Sequence, residues 1–287
     1  MLRQQDIRRR FDNAAATFDD VDFVHAVTRN GVLARLEPVV LDASVILDLG
    51  SATGATGRQL RKRFRRTRVV SVDLSAAMLR QAQQRKTWFT RSSFVQADAC
   101  QLPFRDACFD LVVANQLLPW IPDPQLLFGE AARVLKKGGL FAFATLGPDS
   151  LQEIANAWAK AEVASKLAPA SHVNAFADMH DIGDGLVRAG LRDPVLDVDR
   201  LTVSYESTGK LLDDLTRAGA RNSLAARTRG LTGKHGFRAM ARALETATPG
   251  PGLSLELELV YGHCWGGEQR DKAGDVRIAA KGIPLRR

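Results

Sequence analysis

The chain has 287 residues, 45% hydrophobic and 25% charged, which suits one large globular domain or one domain with an insertion. No apolar run approaches the roughly 20 residues a membrane span needs. The basic start MLRQQDIRRR has no apolar stretch after it, and Asp6, Asp12, Asp19 and Asp20 disfavour a mitochondrial presequence, so the reading is a cytoplasmic protein. The net charge of +8 and pI of about 9.7 favour an acidic partner, whether nucleic acid, an anionic membrane or an acidic carrier protein.

Taken in order, residues 1–44 are expected to be helical. Phe18, Val21, Val24, Val27 and Val32 recur at roughly helical spacing until Pro38. VILDLG (45–50) reads as a strand, 57–64 as a helix and VVSVDL (69–74) as a second strand. The densest basic run, RKRFRRTR (61–68), places Leu60 and Phe64 four apart on one face and reads as a solvated helix back. No aromatics alternate with its charges as a nucleic-acid stacking platform requires.

SAAMLRQAQQRKTWF (75–89) predicts a helix with Ser75 as N-cap, SFVQADA a third strand, and FDLVVAN a fourth, apolar enough to be covered on both faces. PQLLFGEAARVLKKGG (124–139) predicts a helix closed by Gly138 and Gly139, followed by the strand LFAFATL. A helix over 179–191 and one or two strands over 194–205 come next. Helical stretches over 210–220 and 237–247 flank a basic loop, and LSLELELVYGHCW (253–265) alternates as a half-exposed antiparallel strand. After Gly266 the tail is basic and weakly structured.

These elements predict an α/β fold: a Rossmann-like, doubly wound, seven-stranded and mostly parallel sheet with an antiparallel last strand. The expected organisation is an N-terminal helical segment (1–44), a core (45–206), a helical cap insertion (207–250), and the last strand with its tail (251–287). Cys100, Cys108 and Cys264 are odd in number and lack metal-ligand spacing, so they read as reduced thiols, and no metal is expected.

In such a sheet the ligand lies at the carboxyl ends of the strands. After the first strand comes Gly50-Ser51-Ala52-Thr53-Gly54, small residues that let a ligand approach the backbone at a helix N-terminus. After the second comes Asp73, whose carboxylate can accept both hydroxyls of a ribose, a bidentate contact worth about 1.5–3 kcal/mol. Met78, one turn into the next helix, is read as lying on an adenine face. Asp98 ends the third strand and can accept from an adenine amino group. Asn115 ends the fourth and, with Trp120, suits the rim of a substrate pocket. No constellation for hydride transfer accompanies these groups.

D-L-G-x-x-x-G at 48–54, V-D-L-S-x-x-M-L at 72–79, A-D-A-x-x-L-P-F at 97–104, F-D-L-V at 109–112 and R-V-L-K-x-G-G at 133–139 resemble class I S-adenosylmethionine-dependent methyltransferases. The resemblance implies S-adenosylmethionine as cofactor. It places the methionine part at the turn of Asp48, Gly50, Ser51, Ala52 and Gly54, the ribose at Asp73 with Leu74, and adenine at Asp98 with Ala99.

A narrower resemblance runs nearly end to end through F-D-N-A-A-A-T-F (11–18), H-V-N-A-F (172–176), G-A-R-N-S (219–223), R-G-L-T-G (229–233) and V-Y-G-H-C-W-G (260–266). These are similar to malonyl-acyl-carrier-protein O-methyltransferases, which implies methyl esterification of a malonyl carboxylate at the start of pimelate and biotin synthesis, with an acidic carrier protein as partner. Relative to that pattern, Ala52 replaces a glycine, Phe18 a frequent tyrosine and Ala175 an arginine. Arg221 and Arg227 are the candidate cations for the substrate carboxylate, and His172 is a candidate substrate contact. The same pattern is also similar to a respiratory complex I assembly factor linked to arginine hydroxylation. A ring methyltransferase of quinone synthesis is a further reading.

Overall fold

The computed structural model describes residues 2–86, 91–165, 168–224, 233–247 and 252–267. Its seven strands are β1 (Val45–Leu49), β2 (Arg68–Asp73), β3 (Ser92–Gln96), β4 (Phe109–Asn115), β5 (Leu135–Leu146), β6 (Arg192–Tyr205) and β7 (Leu253–Trp265). They form one sheet in the order β3-β2-β1-β4-β5-β7-β6. β1 to β5 pair in parallel, and β7 runs antiparallel to both β5 and β6. The chain thus folds as the doubly wound α/β sheet its alternating strands and helices predict. Strand order reverses between β1 and β4, and the carboxyl ends of β1 to β4 all lie at that edge, where ligands bind in such sheets.

The strands are apolar on both faces because helices cover both. Leu47, Leu49, Val112, Ala114, Phe141 and Phe143 face one core, packed by α5 (Pro124–Val134) and α7 (Met179–Arg188) through Leu127, Phe128, Ile182 and Leu186. Ile46, Leu111, Val113, Leu140, Ala142 and Ala144 face the other, packed by α2 (Phe23–Leu36) and α3 (Ala55–Arg63) through Val32, Leu36 and Leu60. This is the period-two pattern of a fully covered sheet.

The N-terminal segment is two helices, α1 (Gln4–Ala14) and α2, joined by a 3-10 turn at Phe18–Asp20. α4 (Ala76–Gln84) opens on Ser75, whose hydroxyl accepts the Met78 N–H at 3.1 Å. α4 ends at Gln84 with Arg85 as its C-cap, short of the 89 expected, and residues 87–89 lie outside the described residues. Leu60 is fully buried and Phe64 packs on the same core, so the basic run does turn its charges away from the sheet.

Two boundaries differ from expectation. The helix predicted over 124–139 stops at Val134, because Leu135 turns extended (ψ 140°) to pair with Phe109. Gly138 (φ +72°) and Gly139 do not cap that helix; they exchange hydrogen bonds with Gly266 at 3.1 and 2.7 Å. β7 is covered on both edges by β5 and β6, and residues 194–205 belong to one strand rather than two. α8 (Thr208–Arg217) and α9 (Lys234–Glu245) lie between β6 and β7 in sequence. They share an apolar cluster with α6 (Gln152–Ser165), which follows β5, so the helical layer also draws on chain outside 207–250. The basic tail lies outside the described residues. The three cysteines are free.

Candidate active site

The turn after β1 is held by its neighbour strand. Gly50 and Ser51 donate their N–H groups to the Val72 carbonyl, each at 2.9 Å, and Ala52 donates to the Asp73 carboxylate at 2.8 Å. Gly50 (φ +69°) is required twice over: a Cβ there would also sit 2.9 Å from Leu117 Cδ1. Ala52 holds φ +46°, a left-handed conformation in which a side chain is strained.

Asp73 accepts the Ala52 N–H with one oxygen and the Ser75 N–H with the other, both at 2.8 Å. Desolvation pushes its pKa up to about 6 against the backbone hydrogen bonds that favour the ionised form. A carboxylate offers about four acceptor sites, so acceptor capacity remains beyond these backbone bonds. Asp98 ties down the next turn: it accepts the Cys100 N–H at 2.9 Å and the Gln4 side-chain amide from α1. Asn115 donates to the His25 carbonyl at 3.0 Å while its Oδ1 is buried without a partner. Gln116 next to it is held at φ +56° with its Nε2 buried and unpartnered.

These groups surround a cavity of about 290 Å³. Of the candidates, Phe18, Gly50, Ala52, Asp73, Leu74, Asp98, Ala99, Asn115 and Trp120 line it. Helix α1 closes its outer side with Gln4, Ile7 and Phe11. Four expected contacts do not line it. Asp48 points under the turn, where it accepts the Gly57 N–H at 2.9 Å and braces α3. Burial pushes its pKa up to about 7. Ser51 is buried with its hydroxyl unpartnered, and Gly54 (φ +79°) is the N-cap of α3, where a Cβ would sit 3.0 Å from Ala82 Cβ. Met78 is fully buried among Ala14, Ala15 and Phe18, so it packs α4 onto α1 instead of meeting a ligand.

A second cavity of about 440 Å³ lies beneath α6, α8 and α9 and is mainly apolar, with Trp158, Tyr205, Met240 and Leu257 in its walls. His172 and Arg221 line it. His172 stacks on Trp158 (ring centroids 3.9 Å apart, planes at 5°) and donates to Glu162 at 2.8 Å, so much of its bonding capacity is already used. Among the described residues Arg221 is the one Lys or Arg lining this cavity. Its side chain is exposed and makes no hydrogen bond or ion pair among the described residues. Arg227 lies outside the described residues.

His25, Gln116 and Trp120 line both cavities and form the wall between them. Desolvation, aided by the nearby positive charge of Arg29, pushes His25 down to about 4, so its ring is neutral near pH 7. The sequence reading missed His25, Gln116 and the lining contributed by α1. A lone histidine in a helix carries no signal, but Gln116 stands beside Asn115 at a strand end, where a second polar group is a clue. Among the described residues no cluster of three His, Cys, Asp or Glu side chains is placed to hold a metal.

Residues 47–143 match a methyltransferase domain family. A malonyl-[acyl-carrier protein] O-methyltransferase of Halorhodospira halophila is 37% identical over 287 residues, covering 98% of this chain and 95% of its own. The chain belongs to the malonyl-[acyl-carrier protein] O-methyltransferase family. The same name is carried by a Nitrosospira multiformis relative, 37% identical and covering 90% of this chain and 88% of its own. Among solved structures, the YcgJ protein of Bacillus subtilis superposes with a TM-score of 0.60 at 16% identity, over 84% of this chain and 99% of that one. A putative methyltransferase of Bacillus halodurans gives 0.59 at 18%, over 83% and 98%. At these identities the structural likeness establishes the family's fold.

Proposed function

We propose that the chain transfers a methyl group from S-adenosylmethionine to the free carboxylate of a malonyl group on acyl carrier protein. The product is the malonyl methyl ester that starts pimelate and biotin synthesis, made in the cytoplasm. The observation that carries this reading is the pair of cavities sharing one wall, the first bearing carboxylates at two successive strand ends, the second apolar with an unpaired arginine. The relatives' shared name supports the acceptor. The quinone-ring and assembly-factor readings have no such support.

The first cavity suits the donor. Asp73 keeps acceptor capacity for a ribose, and Asp98 with Ala99 stands at the neighbouring strand end for adenine. The small turn residues Gly50 and Ala52 leave room for the methionine part, and the unpartnered Asn115 Oδ1 and Gln116 Nε2 await polar partners. Bound there, S-adenosylmethionine supplies an electrophilic methyl on a positively charged sulfur. Neutral His25 in the shared wall adds no repelling charge to that sulfur.

The acceptor is a carboxylate, ionised at neutral pH with an ordinary pKa near 4. It needs no general base, which accords with the lack of an acid–base pair in the wall. Residues of both cavities instead fix the approach and exclude water, effects that reach roughly 7–11 kcal/mol at best. Arg221 takes the acceptor's charge. Phe18 is buried with its ring centroid 5.0 Å from that of His25, so it acts by packing and brings no hydroxyl to the site.

Incubation with methyl-labelled donor and malonyl-acyl carrier protein tests this. Labelled ester is expected; absence of ester while the donor still binds refutes the acceptor assignment.

A further inference from the structure

Helix α9 has two unlike faces. Met240 and Leu244 are buried and line the second cavity, and Phe237, 38% exposed, lines it at the surface. The lining residues that are exposed are Phe23, Arg221 and Phe237, so the cavity reaches the surface at these three, the last of them on α9. On the outer side Lys234, Arg238 and Arg242 recur every four residues and therefore stand one above another, all exposed.

The neighbouring helix handles its charges differently. On α8, Lys210 pairs with Asp214 at 2.8 Å and Arg217 pairs with Asp20. None of the three α9 cations has a hydrogen-bond or ion-pair partner among the described residues. The α9 carboxylate that could offset them, Glu245, accepts from the Thr208 hydroxyl at 2.8 Å. Like charges at this spacing weaken a helix, so the column is costly for folding and its use lies outside the fold.

We propose that Lys234, Arg238 and Arg242 form the docking face for the acidic surface of the acyl carrier protein, with the acyl arm entering past Phe237 and Arg221. This rests on the proposed reaction, because it is the carrier-bound acceptor that brings an acidic protein to this mouth. Complementary charge at a rim raises the rate of encounter and makes it sensitive to salt.

The test uses the full chain, the triple variant K234E/R238E/R242E and the neutral triple K234Q/R238Q/R242Q, with folding checked by thermal melting. Two readouts are taken: binding of the unloaded carrier protein at low and high salt, and methylation of malonyl-carrier against malonyl-pantetheine, a small acceptor without the protein. Charge reversal should weaken carrier binding and kcat/KM for malonyl-carrier by about tenfold or more and flatten their salt dependence. The neutral variant should fall between, and kcat/KM for malonyl-pantetheine should stay within about twofold. Carrier binding that the folded variants leave unchanged overturns the docking face. So does an equal loss with both acceptors, which would mean α9 shapes the cavity instead. If the unaltered chain methylates neither acceptor, the proposed reaction fails, and carrier binding alone still decides the docking face.

Discussion

Asp73→Asn removes a charge at the point where the proposed donor contact and the architecture of the turn coincide. Each Asp73 oxygen already holds one backbone N–H at 2.8 Å. Asparagine keeps one acceptor but sets its NH2 against the other donor. That unsatisfied N–H should cost about 1–3 kcal/mol of stability, read as a lower melting temperature. Separately, two ribose hydroxyls lose a charged acceptor. At about 1.5–3 kcal/mol, the Kd for S-adenosylmethionine at pH 8 should rise roughly 10- to 150-fold.

The pH dependence gives an independent reading of the same contact. In the proposed contact the ionised carboxylate is the form that would accept from the ribose, and in the free protein its pKa is raised to about 6. Affinity is therefore complete above that value and falls as pH drops through it, about tenfold per unit. Calorimetry from pH 5 to 8 should show this decline in the native chain and a flat line in Asp73→Asn. Asp48, pushed up to about 7, titrates in the same range, so the decline must persist in Asp48→Asn. A Kd for Asp73→Asn within twofold of the native value at pH 8, or a native affinity that does not change with pH, refutes the reasoning.

Further outcomes follow from single residues. Arg221→Met should lower kcat/KM for malonyl-carrier about 10- to 100-fold, as expected for a lost charged hydrogen bond, while the donor Kd measured by calorimetry stays unchanged. Ala52→Gly relieves the strain at φ +46° and should stabilise the fold by up to about 1 kcal/mol in denaturant melts. A lower midpoint would show that the alanine methyl packs usefully. Gly262→Ala would set a Cβ 2.2 Å from Phe143 Cζ, in a ring with no exposure, and should cost about 1–3 kcal/mol by the same assay. Asp48 has a folded pKa above its ordinary 3.8, so the fold binds its proton more tightly than the unfolded chain does. Stability should therefore fall as pH rises from about 4 to 7, by up to about 4 kcal/mol for this group, and the native-minus-Asp48→Asn difference in stability across that range should carry the slope.

The parts of the fold that were legible in the sequence are those governed by local pattern. The apolar runs of β1 and β4, the alternation that bounds β7 at Leu253 and Trp265, and the Ser75 cap each follow from spacing or from one side chain. The glycine pair after α5 misled because a glycine at positive φ serves a strand crossing as readily as a helix end; pairing with Gly266 decided between them. Met78 misled for a similar reason. Its helix position is compatible with facing a ligand, but α1 covers it, and the docking of α1 onto α4 depends on contacts far apart in sequence. The same distance hid the contribution of Gln4 and Phe11 to the first cavity.

The shared wall of His25, Gln116 and Trp120 has a consequence for how mutational scans of this enzyme will look. Changes at residues that border one chamber alone, such as Asp98 or Arg221, should perturb one ligand and spare its companion. Any alteration of the three partition residues is felt from both sides at once, so the two apparent affinities should drift together, and those positions will resist assignment to donor or acceptor specificity by kinetics alone.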